Sequence, residues 1–312
     1  MEKQKNFDIC VFGGCSLDAT YFQQEDLTYN NQPDLVEPGG KGANQAVAAA
    51  RAGAKVVMLT RLGDDNVGQL IKQNLEENLI ETNYIEMVEK LNNDYSEIYV
   101  QKIDGANAIK RKTGAIDSFT PILVERFKEV LLSSKIVLAQ MKAPKDFSIK
   151  LINFCYENNI TIIITPCRPL KLVISEKENL ELLDKISYIT LNQEECEIIF
   201  GTKNLEACVK KYPNKLIVTL GIEGVMYHDG KSVQVVPAIK SIIAKDSTGA
   251  GDTFCGNFAS CLVKGKSLRQ AIEKAQFASQ MQIQVKGAQQ GMPKLESLEK
   301  YIAKMKTPLC EN

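Results

Sequence analysis

The chain has 312 residues, enough to bury a substantial core as one large α/β domain or two small ones. Its 38 basic and 38 acidic residues balance, which argues against nucleic acid or a membrane surface as a partner and favours a small molecule. Nine scattered cysteines without a C-x-x-C pair, no signal-peptide pattern and no apolar run of the ~20 residues that span a bilayer indicate a reduced, cytoplasmic protein.

The N-terminal part is predicted to begin with a strand over residues 7–13. Asp18 follows it, at the edge where open parallel sheets bind ligands. A polar loop over residues 23–37 leads to the glycine turn Gly39-Gly40-Lys41-Gly42-Ala43-Asn44. This turn opens an alanine-rich helix, whose small residues allow close packing.

Residues 84–113 interrupt the alternation of strands and helices. Two strand-like runs, 97–103 and 107–112, flank an Asp104-Gly105 turn, which is typical of a hairpin. From the residues alone, this hairpin could form an edge of the main sheet or lie apart from it.

From residue 121 the alternation resumes, which implies right-handed crossovers and a mainly parallel sheet covered by helices on both faces. The sequence therefore predicts a doubly wound, three-layer α/β sandwich in a single domain, residues 1–312. A hairpin turns at His228, the only histidine, whose solitude excludes Ser-His-Asp and Cys-His catalysis and argues against a histidine-based zinc site. The other predicted strands are 55–60, 135–140, 160–165, 188–191, 215–220 and 241–244, and the other helices are 66–78, 121–132, 146–158, 179–183, 193 onward, 205–212, 255–264, 268–285 and 295–305.

The stretch Asp246-Ser247-Thr248-Gly249-Ala250-Gly251-Asp252-Thr253-Phe254 joins the last predicted strand to a helix. Its glycines allow a tight turn, so the N–H groups of Gly249, Ala250 and Gly251 converge at a helix N-terminus and form an anion hole. Asp252 follows within reach of that hole and is the candidate general base for a hydroxyl that attacks a phosphoryl group. Taken alone, the motif is also compatible with a tight turn capped by an aspartate.

The two glycine motifs, 39–44 and 246–254, occur together, and their composition and order resemble those of the ribokinase-like (PfkB-type) carbohydrate and nucleoside kinases. The resemblance runs from about residue 8 to residue 292. It implies transfer of the γ-phosphate of ATP to a primary hydroxyl of a small sugar, in the first place O5 of D-ribose. A nucleoside, a sugar acid or a sugar phosphate is the alternative acceptor. A non-catalytic sugar or nucleotide sensor is a further alternative, against which the intact Asp252 argues.

The resemblance also implies a lid over the sugar, formed by strands from residues 14–38 and 84–113. Such a lid could pair across a two-fold axis into a homodimer, although its many charges oppose this.

Roles for residues outside the two glycine turns follow from the same resemblance. Asn192 and Glu195 form an N-x-x-E string that is expected to hold Mg²⁺ near the phosphates through water, and Asn192 is also a candidate helix cap. Many relatives bind a monovalent cation, here expected to be K⁺, at positions matched by Asp246, Thr248, Val285, Gly287 and Gly291. The other expected contacts are Asp18, Gly40, Lys41, Asn44 and Asp252 for the sugar, and Asn192, Thr219, Gly221, Gly224, Gly251 and Gln276 for ATP.

Three positions depart from the family pattern. Lys142 stands where a glutamate is usual, Ile116 where an asparagine is usual, and Ser16 begins a Ser-x-Asp string in place of Asn-x-Asp. The predicted lid strand is also basic, with the run Lys110-Arg111-Lys112. Lys142 and one of the lid bases are therefore expected either to face solvent or to bind an anionic group on the substrate.

Overall fold

The computed structural model describes residues 5–166, 177–239 and 242–306, without the side chains of residues 177–180 and 306. The strands are β1 (Phe7–Phe12), β2 (Ser16–Phe22), β3 (Leu35–Gly39), β4 (Val56–Gly63), β5 (Ile85–Val88), β6 (Asp94–Val100), β7 (Asn107–Lys112), β8 (Ser134–Gln140), β9 (Thr161–Thr165), β10 (Tyr188–Asn192), β11 (Leu216–Thr219), β12 (Val225–His228) and β13 (Val233–Val236). The helices are α1 (Lys41–Arg51), α2 (Asn66–Glu77), α3 (Ile122–Arg126), α4 (Lys128–Leu132), α5 (Lys145–Glu157), α6 (Lys177–Lys185), α7 (Gln193–Phe200), α8 (Leu205–Lys211), α9 (Ala250–Val263), α10 (Leu268–Gln282) and α11 (Leu295–Lys306).

Nine strands form the main sheet, in the order β13-β12-β11-β10-β9-β8-β1-β4-β5. From β11 to β5 every neighbouring pair is parallel, whereas β12 and β13 at one edge pair antiparallel. This topology confirms the predicted doubly wound α/β fold. Because the parallel strands share one direction, the carboxyl ends of β1 and of β8 to β11 meet at one edge, where ligands bind in open sheets.

Apolar side chains cover both faces of the main sheet, as β1 illustrates. Cys10 and Phe12 belong to a core that includes residues of α3 to α8, whereas Ile9 and Val11 belong to a second core with α1, α2, α9 and α10. Cys167 and Cys310 lie outside the described residues, and the seven cysteines within them are buried and unpaired. In the same part of the chain, no helix combines the length and apolar character needed to cross a bilayer.

A second sheet of four strands, in the order β3-β2-β6-β7, corresponds to the predicted lid. β2 pairs antiparallel with β3 and parallel with β6, and β6 and β7 form the hairpin predicted around Asp104-Gly105. The alternative position for this hairpin, at the edge of the main sheet, is wrong. β5 is an exception within the predicted lid range 84–113, because it pairs with β4 and extends the main sheet.

Other predicted boundaries also need correction. The predicted strand over 241–244 is wrong, because Ile243 is 82% exposed and residues 242–244 pair with no described strand; Ser241 lies outside the described residues. An apolar run is therefore not sufficient evidence of a buried strand here. The predicted helix over 121–132 is divided into α3 and α4 at Phe127, whose ring packs in the core. His228 lies at the predicted hairpin turn, where its Nδ1 accepts the N–H of Gly230.

Helices α1 and α9 pack closely because the contact is built from small residues. A Cβ atom at Gly256 would lie 2.6 Å from the Cβ of Ala48 and 2.7 Å from the backbone nitrogen of Ala49. Since both helices begin at the carboxyl edge of the sheet, this packing fixes the distance between the two glycine turns at their N-termini.

We expect Gly256→Ala to lower the free energy of unfolding by about 1–3 kcal/mol, because overpacking outweighs the roughly 0.5–1 kcal/mol that alanine gains over glycine in a helix. Urea denaturation would measure the loss. The control is Ala50→Ser, one added atom on the partly exposed side of α1, which should change stability by no more than about 0.5 kcal/mol. A Gly256→Ala protein as stable as the unsubstituted chain would contradict the close packing.

Candidate active site

A cleft of about 750 Å³ lies at the carboxyl ends of the parallel strands, with lid strands β2, β6 and β7 along one side. Most of the predicted site residues line it: Asp18, Gly40, Lys41, Asn44, Lys142, Asn192, Glu195, Thr219, Gly221, Thr248, Gly249, Ala250, Gly251 and Asp252. The predicted residues that are not among its lining residues are Gly224, Asp246, Gln276, Val285, Gly287 and Gly291.

The turn into α9 has the geometry that an anion hole requires. Gly249 adopts the left-handed conformation, with φ 76°, and a side chain there would collide with the carbonyl oxygen of Ala288. The N–H of Ala250, one of the predicted donors, is instead bound to the carbonyl oxygen of Ser247 over 3.2 Å, which corrects that prediction. The N–H groups of Gly251 and Asp252 donate to no residue that the structure describes. These two donors and the dipole of α9 face the cleft and favour negative charge there.

Asp252 lies in the first turn of α9 and is only 6% exposed. Gln45 Nε2 donates to its Oδ1 over 3.1 Å, and Asn44 Nδ2 donates to its Oδ2 over 3.2 Å. Burial raises the pKa of Asp252, while the positive charge of Lys41 and these two hydrogen bonds partly oppose that shift. An oriented carboxylate beside an anion hole can accept the proton of a hydroxyl bound between them.

Three glutamines that the sequence analysis did not identify support this carboxylate. Gln45 itself is held by Gln140 at the end of β8, whose Nε2 donates to the Gln45 Oε1 over 2.7 Å. Gln289, in the segment after α10, donates from Nε2 to the Oδ1 of Asn44 over 2.9 Å. Gln45 could have been suspected because it follows Asn44 directly. Gln140 and Gln289 are distant in sequence from Asn44 and Gln45, and no sequence motif pointed to them.

A second buried carboxylate, that of Asp18, also lines the cleft. Ser16 Oγ donates to its Oδ1 over 2.5 Å, and the N–H of Gly40 donates to its Oδ2 over 3.3 Å. Burial raises the pKa of Asp18, and hydrogen bonds from Ser16 and Ser96 oppose the shift. Gly39 must be glycine, because a Cβ there would lie 2.0 Å from Asp18 Oδ2. Ser16, in place of the usual asparagine, therefore still supplies a donor to this carboxylate.

Lys142 lines the cleft, but its charge is compensated from within the protein. Its Nζ lies 2.7 Å from Oδ2 of Asp94, a carboxylate that is 1% exposed. The Oδ1 of Asp94 accepts the N–H groups of Gly114, over 2.7 Å, and Ile116, over 3.2 Å. Ile116 is itself buried in the apolar core and does not line the cleft. The sequence analysis missed Asp94, which begins β6 and comes close to Lys142 only in the folded protein.

The basic run on β7 is divided between the two faces of the lid. Lys110 and Lys112 are exposed, and Lys110 lies over the ring of Tyr99. Arg111 points the other way, is partly buried and lines the cleft. In the described part of the chain, the side chain of Arg111 forms no hydrogen bond or ion pair, although its backbone pairs with Ser96 in the lid sheet. One lid base therefore faces the cleft.

The tip of the lid hairpin contacts the segment that leads into the anion hole. The backbone N–H of Ser247 donates to the carbonyl oxygen of Gly105 over 2.9 Å, and Ser247 Oγ donates to the same oxygen over 2.8 Å. Asn107 Nδ2 donates to Oγ1 of Thr248 over 3.0 Å. These contacts hold the lid directly against residues 247–248.

Asn192 and Glu195, which also line the cleft, form a capping box on α7. Asn192 Oδ1 accepts the N–H of Glu195 over 2.7 Å, and Glu195 Oε2 accepts the N–H of Asn192 over 3.0 Å. Burial raises the pKa of Glu195. Oxygen ligands that leave most waters in place suit Mg²⁺, so one carboxylate at the cleft wall fits this ion. Thr219 and Gly221 line the cleft beside them.

Two residues expected near ATP, Gly224 and Gln276, do not line the cleft. Gly224 has φ 106°, and a Cβ there would lie 2.0 Å from the carbonyl oxygen of Val236, so the structure explains this glycine by packing. Gln276 donates from Nε2 to the carbonyl oxygen of Pro237 over 2.8 Å, and so joins α10 to the segment after β13.

Asp246, one of the predicted cation residues, contacts two of the others. It is fully buried, and its two carboxylate oxygens accept the N–H groups of Thr248, over 2.8 Å, and Gly287, over 2.9 Å. Val285 is 41% exposed. Glu37 at the end of the lid sheet accepts the N–H of Ala288 over 2.7 Å and so ties this region to β3.

Comparison with known proteins finds relatives along nearly the whole chain. The chain is 38% identical over 273 residues to a ribokinase of Lactococcus lactis, covering 87% of this chain and 88% of that protein. It is 34% identical over 308 residues to a ribokinase of Bacillus subtilis, covering 95% and 99%. The solved structure of Arabidopsis thaliana ribokinase complexed with ribose and ATP superimposes with a TM-score of 0.79 at 25% identity, covering 95% of this chain and 98% of that one.

A family model described as pfkB family carbohydrate kinase matches residues 6–295, nearly the whole chain. Together with the two relatives above 30% identity, this match assigns the family. The chain belongs to the pfkB family of carbohydrate kinases.

Proposed function

We propose that this protein is an ATP-dependent kinase that phosphorylates the primary hydroxyl of a small neutral sugar, D-ribose being the first candidate. The observation that carries the proposal is the Asp252 carboxylate, which two amides hold beside the N–H groups at the start of α9. The relatives named as ribokinases, and the solved relative with ribose and ATP, support ribose as the acceptor.

In the proposed reaction, the acceptor hydroxyl lies between Asp252 and the γ-phosphorus of ATP. Asp252 takes the hydroxyl proton as the new oxygen–phosphorus bond forms, and the bond to the bridging oxygen breaks, leaving its electron pair on ADP. The N–H groups of Gly251 and Asp252 stabilise the charge on the phosphoryl oxygens. Mg²⁺, when bound, neutralises phosphate charge, and Glu195 is the residue that would hold it through water.

The charges at the sugar end support a neutral acceptor. Asp18 can also accept hydrogen bonds from neighbouring hydroxyls of a sugar, and Gly40, Lys41 and Asn44 line the same cleft. The ion pair with Asp94 compensates Lys142, so this lysine does not by itself call for an anionic substrate. Arg111, which has no such partner, favours a second candidate, an acceptor with a carboxylate or phosphate group.

Several finer expectations stay predictions. We propose that the chain acts as one catalytic domain with the four-stranded sheet as its lid. The homodimer through the lid and the cytoplasmic location remain predictions from the sequence. Stacked Tyr21 and Tyr99 rings, 5.0 Å apart, supply an aromatic patch on the lid for such a dimer.

We expect Asp252→Asn to lower kcat by about 10²–10⁴-fold, because the base is removed while the anion hole and cleft remain. Calorimetric titration with ADP should show nearly unchanged binding. Asp117→Asn, the same chemical change at an exposed carboxylate, is the control and should leave kcat unaltered. Normal turnover in the Asp252 variant would remove this residue from the mechanism.

The acid side of the pH profile should report Asp252. Because burial raises its pKa above 3.8, kcat/KM should fall as the pH is lowered through that raised pKa, where the protonated carboxyl cannot accept a proton. The charged groups around it are Lys41 on α1, Arg111 on β7 and Glu195 on α7. Arg111→Met removes a positive charge, so activity should be lost at a higher pH, whereas Lys112→Met on the outer face should not move the profile. A shift in the opposite direction would refute the assignment.

The acceptor can be tested by ADP release from Mg·ATP with ribose, fructose, adenosine, pseudouridine, 2-keto-3-deoxygluconate and fructose 6-phosphate. We expect ribose to give the highest kcat/KM. Asp94→Asn should leave the charge of Lys142 uncompensated and raise the ratio of acidic to neutral acceptor use by about tenfold or more. If the unsubstituted protein already prefers an acidic or phosphorylated acceptor, the second candidate replaces the first.

A further inference from the structure

The region predicted to hold a monovalent cation is organised around Asp246. Its carboxylate joins two segments, residues 246–248 and 285–288, through the N–H groups of Thr248 and Gly287. A cation at this place would be held by carbonyl oxygens of the same two segments and would bind them together. The question is whether those oxygens are available to a cation in this chain.

Gln282, the last residue of α10, already binds two of these oxygens. Its Nε2 donates to the carbonyl of Gly287 over 2.6 Å and to the carbonyl of Thr248 over 3.1 Å, and the residue is 0% exposed. One amide group therefore joins the two segments that a cation would join. The hydrogens of this amide carry partial positive charge and point at the carbonyl oxygens. The amide therefore attracts these oxygens electrostatically, as a cation would.

The amide and a cation are mutually exclusive at this position. A cation coordinated by the carbonyls of Thr248 and Gly287 would lie against the Gln282 hydrogens, and like charges would repel. Gly291, another predicted cation residue, is better explained by packing around this glutamine. A Cβ there would lie 2.6 Å from the Gln282 carbonyl oxygen and 3.0 Å from its Oε1.

The two segments that Gln282 joins are connected to the candidate base, Asp252, by direct contacts. Thr248 directly precedes Gly249. Ala288 contacts Gly249 so closely that a Cβ on Gly249 would lie 2.2 Å from the carbonyl oxygen of Ala288. The next residue, Gln289, donates to Asn44, which in turn donates to Asp252. Gln282 is thus a positioning residue for both the anion hole and Asp252.

We propose that the Gln282 side chain replaces the monovalent cation in this protein, so that phosphoryl transfer proceeds without K⁺. The activity part of its test rests on the proposed kinase function, whereas the stability part does not.

The test compares the unsubstituted protein with Gln282→Ala and Gln282→Met in potassium chloride and in tetramethylammonium chloride of equal ionic strength. The unsubstituted protein should have the same kcat in both salts. Gln282→Ala opens the space and frees the carbonyls, so kcat should fall by roughly tenfold without K⁺ and recover with it. Gln282→Met fills the space without a donor, so its loss should not be rescued. Gln284→Ala is the control, because the side-chain amide of Gln284 donates to the carbonyl of Gln280 within α10 and not to the carbonyls of Thr248 and Gly287.

Thermal unfolding in the two salts provides the second measurement. K⁺ should raise the Tm of Gln282→Ala and leave that of the unsubstituted protein unchanged, because only the former offers the carbonyls to a cation. Activation of the unsubstituted protein by K⁺, or a Gln282→Ala protein indifferent to K⁺ in both measurements, would overturn the inference. If no sugar is phosphorylated in either salt, the proposed function fails, and the Tm comparison still decides the role of Gln282.

Discussion

The site depends on one physical requirement, the support of a buried carboxylate. An ionised aspartate without water needs donors, and Asp252 receives them from two consecutive residues of α1, Asn44 and Gln45. That geometry is reached only if α1 and α9 pack closely, which Gly256 and Ala48 in the bodies of the two helices permit. Small residues in two helices far apart in the sequence therefore set the position of Asp252 relative to the other residues of the site.

The outer elements converge on the same point by hydrogen bonding. The lid touches the anion-hole segment through Gly105 and Asn107, and its strand β3 reaches the segment after α10 through Glu37. That segment supports Asn44 through Gln289. Lid, cation region and base thus share one continuous network. Such a network can couple closure over a substrate to the alignment of Asp252, since each part is held by direct contacts.

The polar groups of the cleft also show how a family pattern can change while its local chemistry is kept. Lys142 reverses the usual charge, yet Asp94 provides a carboxylate within 2.7 Å of it, and Ser16 still supplies a donor to Asp18. Gln282 follows the same logic, because an amide takes the carbonyls expected to bind a cation. Asp94 lies on a different element from Lys142, whereas Ser16 lies on the same strand as Asp18.

The sequence by itself determined the fold class, the glycine turns at 39–44 and 246–254, the lid hairpin and a set of site residues, most of which line the cleft, because these depend on local periodicity and on motifs with fixed spacing. It did not determine the partners: Asp94 for Lys142, Gln140 and Gln289 for the amides that hold Asp252, and Gln282 for Thr248. It also placed a strand at 241–244, where only tertiary packing decides whether an apolar run is buried. Pairings of this kind arise from strand order and helix packing, which bring together residues far apart in the chain and leave no local signal in the sequence.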